Sequence, residues 1–266
     1  MTKGALWLAV ATLLAAAALP GQDAAVTFSE ANELFQQGND LRSSAPDEAA
    51  EMYRRAALRY ERLTDGHGIR TAQLYYNLGN AYFLAGDIGR AILNYRRAQR
   101  LDPSDRNIAQ NLEFSRSQRQ DKLEPEPGGQ ALRTLLFWHF DWSRSTRIRT
   151  LATAWIVLWL VLLLRLAGQR WAPREIAMAM AATIVLLVGS LAYDALSNAR
   201  TVAGVVVIPE TIARQGDGHS YEPAFREALH AGAEFTVLEQ RPGWCRVELP
   251  DGRLCWLDEG AVELVR

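Results

Sequence analysis

The stretch Thr71–Pro103, TAQLYYNLGNAYFLAGDIGRAILNYRRAQRLDP, decides the reading of this chain. Tyr75, Leu78, Gly79 and Tyr82 recur at i, i+3, i+4 and i+7, the spacing of one helical face. Gly86-Asp87 interrupts that pattern as a turn, with Asp87 placed to cap a second helix. In that helix Ala91, Tyr95 and Ala98 run small, large, small at i, i+4 and i+7, facing the first. Gly79 is then the small position at which two antiparallel helices touch. Leu101 is expected to close the pair, and Asp102-Pro103 ends it.

With its glycine, alanine, aromatic and proline positions in agreement over about 34 residues, this unit resembles a tetratricopeptide (TPR) repeat. Phe28–Leu63 repeats the theme: Ala31, Leu34, Phe35 and Gly38 mimic the first half, Ala49, Tyr53 and Ala56 the second. Counting Gly38 against Gly86 leaves a six-residue insertion around Leu41–Pro46. The first repeat is therefore expected to be degenerate, with an extended turn, as terminal repeats often are. Asp65–Gly68 is the inter-repeat loop. Ser104–Gln120 continues as a helix with Ile108, Leu112 and Ser115 inward, capping an all-α TPR region over 22–122. Helical repeats present a concave surface to peptides. Tyr76, Asn77, Asn80 and Phe83 lie off the packing face and are the candidate protein-binding residues of that groove. The competing reading has Asn77 and Asn80 bonding within the repeat and Phe83 packing on the preceding unit.

The chain has 266 residues and a formal net charge of −1, with no basic excess. That argues against nucleic acid as a partner. Residues 1–21 read as an export signal: Lys3 supplies the positive end and Leu6–Leu19 the apolar run. An uncleaved anchor is the alternative, and either sends the repeats across the membrane. Gln120–Gln130 reads as a linker, with its prolines and glycines at Glu124–Gly129, and residues 123–149 as linker followed by an amphipathic interfacial segment carrying Trp138 and Trp142. His139, within it, has no neighbours at metal-ligand spacing. Apolar runs at 150–166 and 176–196 are long enough to span a membrane. The loop between them, 167–175, adjoins Arg165 and carries Arg170 and Arg174. It is expected in the cytoplasm, although Arg144, Arg147 and Arg149 flank the other end of the first span. Asp194 reads as an interface residue.

Residues 197–266 change character to short strands: VAGVVVI, EFTVLEQ, the hairpin PGWCRVELPDGRLCWL turning at Asp251-Gly252, and Ala261–Val265. Their number and spacing suggest a small all-β barrel. The segment is similar to a bacterial SH3 domain at Ala213–Gly216, Tyr221–Phe225, His230–Gly232, Trp244, and Asp251–Arg253 ahead of Trp256. Tyr221, Trp244 and Trp256 are the candidate lining of a ligand groove; the alternative places both tryptophans in the core. A two-residue turn sets Cys255 opposite Glu248 and Cys245 opposite Asp258, with the thiols on opposite faces, which disfavours a disulfide. No phosphate loop, zinc spacing or nucleophile motif occurs. No metal, cofactor or catalytic residue is expected, and the chain reads as a non-enzyme.

Signal, TPR helices, two membrane spans and a C-terminal SH3-like barrel, in that order, resemble the BatE-like proteins of bacterial aerotolerance (Bat) operons. The resemblance implies a multidomain inner-membrane scaffold with both soluble regions in the periplasm. It implies partners among von Willebrand factor A-domain membrane proteins and a MoxR-type ATPase, in an envelope complex linked to stress or oxygen tolerance. The alternative is a cell-wall accessory that binds peptidoglycan through the SH3-like region.

Overall fold

A computed structural model describes residues 20–123, 136–140, 142, 144–168, 174–200 and 202–266. The expected export signal, but for residues 20 and 21, and residues 124–130 of the expected linker lie outside that set. The linker's first residues, 120–123, are described and are not free, since Asp121 accepts from His230 and Leu123 is buried. Five helices form the first layer: α1 (Pro20–Leu41), α2 (Pro46–Glu61), α3 (Ala72–Leu84), α4 (Ile88–Leu101) and α5 (Arg106–Gln118). Their starts are chemically marked. Pro46 opens α2, where its missing N–H costs nothing. Thr71 accepts the Leu74 N–H at 3.2 Å, and Asp87 accepts the Arg90 N–H at 2.9 Å. Asp105 accepts the Asn107 N–H at 2.7 Å. Gly86 makes the α3–α4 turn with φ +85°, a conformation that only glycine adopts cheaply.

The helices touch where the sequence places the small residues. A Cβ at Gly79 would stand 2.7 Å from the Tyr95 ring. A Cβ at Gly38 would stand 2.7 Å from the Tyr53 ring. Gly38 is therefore the counterpart of Gly79, not of Gly86, and the expected insertion at Leu41–Pro46 does not exist. Those residues are the ordinary turn between α1 and α2. The hydroxyls agree: Tyr53 donates to Asn39 Oδ1 at 2.9 Å and Tyr95 to Asn80 Oδ1 at 2.7 Å, each asparagine following its glycine. The extra length lies between the repeats, in a widened turn at Arg62–Gly66 that buries Leu63 and Thr64. Ile108, Leu112 and Ser115 of α5 are buried as expected. Leu101 is not: it lies in the last turn of α4, beyond Ala98, and is 50% exposed.

A short helix, α6 (Phe137–Phe140), precedes two long ones, α7 (Arg144–Leu166) and α8 (Arg174–Arg200). Residues 144–166 and 174–194 are long and apolar enough to cross a membrane, by length and composition. The pair packs along one stripe of α7, where Arg147, Ala154 and Val161 recur every seventh residue. Trp155, Ile156, Trp159 and Leu163 stay exposed.

The C-terminal region holds β1 (Val202–Val206), β2 (Glu210–Thr211), β3 (Leu229–His230), β4 (Glu234–Arg241), β5 (Trp244–Glu248), β6 (Leu254–Asp258) and β7 (Val262–Leu264). Five make an antiparallel sheet in the order β6-β5-β4-β1-β7, while β2 and β3 pair separately. The sheet is open, with β6 and β7 at its edges.

The β5–β6 register differs from the expected one by one residue. Trp244 faces Asp258, Cys245 faces Leu257 and Val247 faces Cys255. Leu249 N–H donates to Arg253 O at 2.9 Å and Gly252 N–H to Leu249 O at 2.9 Å, with Gly252 at φ +80°. That is a three-residue loop ending in a left-handed glycine. A two-residue turn would set Pro250 opposite Arg253 in the ladder, and proline has no N–H to give. With the true register Cys245 and Cys255 lie on the same face, not opposite ones. Both are buried and free.

Candidate functional site

Helix α4 carries a stripe of one glycine, one isoleucine and two arginines, Gly89, Ile92, Arg96 and Arg100, at i, i+3, i+7 and i+11. The sheet is seated on this stripe. A Cβ at Gly89 would stand 2.8 Å from the Val206 carbonyl oxygen, so only glycine lets β1 approach. Opposite it, Gly232 turns at φ +93°, and a Cβ there would stand 2.9 Å from Ile92 Cδ1. Val205, Val207 and Val265 join the core of the helical layer, while Val206 belongs to the sheet's own core with Leu123 from the chain leaving α5. The two regions thus interlock, and the C-terminal part of β1, Gly204–Val206, is buried on both faces.

Arginines fasten the rim. Arg116 grips Glu234 with two parallel bonds, Nε to Oε2 at 2.7 Å and Nη2 to Oε1 at 2.8 Å. Arg96 Nε stands 3.2 Å from Oε1, and Arg119 Nη1 3.5 Å from Oε2. Burial pushes the Glu234 carboxyl up, but the Arg116 bonds and the charges of Arg116, Arg96 and Arg119 outweigh it and leave its pKa below the ordinary value. Burial, and then the like charge of Arg116, push Arg96 down despite Glu234. A guanidinium stays charged regardless, so the carboxylate is the partner whose titration matters. Arg97 donates to Leu264 O at 3.0 Å and Arg100 to Val265 O at 2.7 Å. Asp121 accepts the His230 backbone N–H at 2.7 Å and lies 2.8 Å from its Nδ1.

All four candidate groove residues have partners within the helical layer, three of them on another helix. Asn80 Oδ1 accepts from Tyr95 and, at 2.9 Å, from Asn111 of α5. The Tyr76 hydroxyl accepts from Asn111 at 3.1 Å. The Phe83 ring meets Phe114 of α5 at 5.5 Å. Asn77 accepts from Gln73, one turn earlier in α3, at 2.9 Å. The cap helix thus lies beside the positions expected to hold a peptide, and all four are half-buried.

In the sheet, Trp244, Arg246, Trp256 and Asp258 share one face of β5–β6, the cysteines the other. Both tryptophans are largely buried, at 9% and 8% exposure. His219 meets the Trp244 ring at 5.0 Å, and the Arg241 guanidinium lies 4.8 Å from the Trp256 ring. Arg241 also holds Asp217 at 2.7 Å, a bond that lowers the Asp217 pKa. Tyr221 is half-exposed and lies flat on Gly216, where a Cβ would stand 2.6 Å from the ring. The structure thus joins the two tryptophans under the 213–225 loop, with Tyr221 on the outside of that loop.

A polar cluster absent from the sequence reading ties α6, α7 and α8 together. Arg147 Nη2 donates to Asp194 Oδ2 at 2.5 Å and Nη1 to Ser190 Oγ at 2.7 Å. His139 Nδ1 lies 2.8 Å from Ser190 Oγ, and its Nε2 3.6 Å from Asp194 Oδ1. The sequence signal for it was the arginine cluster at the start of the first span, facing Asp194 at the end of the second. Among the described residues no three His, Cys, Asp or Glu side chains gather as metal ligands.

No curated protein matches the chain significantly. The family model for the tetratricopeptide repeat matches residues 40–104, from the end of α1 through α4, so the helical layer that seats the sheet contains tetratricopeptide repeats.

Proposed function

We propose that this chain is a non-enzymatic membrane scaffold. In this reading α7 and α8 are a membrane hairpin, and the TPR layer and the SH3-like sheet form one composite head on one side of it. The observation that carries it is the seat of β1 and β7 on α4. Elements that precede and follow two apolar helices touch each other, which an even number of crossings allows and an odd number forbids. The exposed apolar faces of α7 and α8 suit lipid contact. The export signal and the Arg165–Arg174 loop favour the periplasm for the head and the inner membrane for the hairpin. Repeats of this class bind proteins, and the sheet already covers α4, so the partner segment is assigned to the α3–α5 side, around Asn77 and Phe83. By resemblance the partners are the von Willebrand factor A-domain proteins and MoxR-type ATPase of a Bat envelope complex.

Topology tests this directly. Single cysteines in Asp65–Gly68 and in Gly216–Gly218, on a background with Cys245 and Cys255 replaced, are treated in intact cells with a thiol reagent that passes only the outer membrane. Both sites are expected to label. Labelling at one alone would break the shared head. Protection of both would put the head in the cytoplasm and make a cytosolic ATPase the first partner to seek. A second reading, peptidoglycan binding, rests on the half-exposed Tyr221 beside the buried tryptophan pair. It requires the full chain to sediment with purified wall material and Tyr221→Ala to abolish that.

A further inference from the structure

The composite head leaves a cavity of about 490 Å³ where it meets the ends of α7 and α8. Among the described residues, four guanidiniums line it, Arg96 and Arg100 from α4 and Arg144 and Arg147 from the start of α7, against a single carboxylate, Asp194. Two of the four are already matched: Arg96 turns to Glu234 and Arg147 to Asp194. Arg100 spends one Nη on the Val265 carbonyl, which carries no charge. Neither Arg100 nor Arg144 has a carboxylate within 4.0 Å among the described residues. Arg147 is only 6% exposed, and its Nε has no hydrogen-bond partner among the described residues. A buried guanidinium donor without an acceptor is costly, and Arg147 is one of the residues that line this cavity. The remaining lining is the Gln99 amide and the apolar Leu191, Pro103, Ala203 and Val265, with Leu191 on α8. Guanidiniums beside apolar side chains at the end of an apolar helix pair are the pattern of an anionic headgroup site.

We propose that this cavity binds the phosphate of an anionic phospholipid in the leaflet beneath the head, with Arg100 and Arg144 as its main contacts. The proposal rests on the membrane reading above. A free phosphate ion carries the same chemistry, so the test separates the two sources.

Full-length protein is reconstituted into vesicles of phosphatidylcholine alone, or with phosphatidylglycerol, and first tested for resistance to alkaline carbonate extraction. Bound lipid is then counted by native mass spectrometry after release into neutral detergent, and phosphatidylglycerol is titrated against thermal unfolding. The expected result is retained phosphatidylglycerol in preference to phosphatidylcholine, with apparent affinity falling about fivefold for Arg144→Gln and again for Arg100→Gln. Arg165→Gln, at the opposite end of α7, should leave it unchanged. Insertion without any preference for phosphatidylglycerol overturns the proposal and leaves the membrane reading standing. Failure to resist extraction overturns both. Equal stabilisation by inorganic phosphate at matched concentration overturns the lipid assignment in favour of a free-anion site.

Discussion

A methyl group at position 79 would stand 2.7 Å from the Tyr95 ring, nearer than any real Cβ contact. The helices would have to part, or the tyrosine would have to leave Asn80. Gly79→Ala should therefore cost about 2 kcal/mol, although alanine is the better helix former. Gly38→Ala should cost a similar amount against Tyr53. Chemical denaturation of the two variants checks both, and a neutral or stabilising result at either would refute the close approach. The thiols give a second prediction at this scale. Burial pushes Cys255 up to about 12 and raises Cys245, so both stay protonated at neutral pH. Neither should react with a thiol reagent in the native protein, and both should react in denaturant. These residues were unequally legible. Gly79 and the Asp87 cap stood in a dense pattern in which each position supported the next. The cysteine faces did not, because the register hung on one turn, and Asp251-Gly252 serves a two-residue loop as well as the end of a three-residue one. Pro250 decided between them through the hydrogen bond it cannot donate.

Among the elements, the contact of α5 with β4 stands out, because it places a carboxylate among three guanidiniums where water is scarce. Glu234 binds its arginines only while ionised, and its pKa in the folded protein lies below the ordinary 4.5. A carboxyl with a depressed pKa contributes its stability fully above the unfolded value and loses it as the pH falls through the folded value. The sheet should thus stay seated down to about pH 4.5 and loosen below it. Glu234→Gln should loosen it at neutral pH by about 2–3 kcal/mol, less than for a fully buried pair because Arg96 and Arg116 remain partly solvated. Amide hydrogen exchange over β1 and β4 reads both effects, and exchange unchanged in the variant would show that apolar interlock alone seats the sheet. The sequence carried a sign of this contact. Val205-Val206-Val207 does not alternate, as a strand buried on both faces would not. What it lacked was the address: Gly89, Ile92, Arg96 and Arg100 look like any amphipathic helix face until a sheet is placed on them. The first repeat was misread for a similar reason, since Gly38 fits both a helix contact and a helix end, and only the Tyr53 ring distinguishes them.

For the whole molecule, the chain order is not the order of packing. Leu123, just after α5, is buried in the core of the sheet, and it lines the same cavity as Ala203 at the start of β1. The segment between them, hairpin included, thus starts and ends at nearly the same place on the head. Helical layer and sheet should therefore fold together without the hairpin. A chain with residues 124–201 replaced by ten Gly/Ser residues, which reach roughly 17 Å, is expected to be soluble without detergent and monomeric. It should unfold in one cooperative transition, because Val205, Val207 and Val265 complete the helical core. Glu234→Gln should lower that single transition instead of splitting it. The segment 202–266 alone, with the same valines bared to water, should aggregate. Two separate transitions in the joined chain would mean that the regions fold independently and meet only when the hairpin holds them together. The seat on α4 would then no longer argue for a shared side of the membrane, and the topology would rest on cysteine labelling alone.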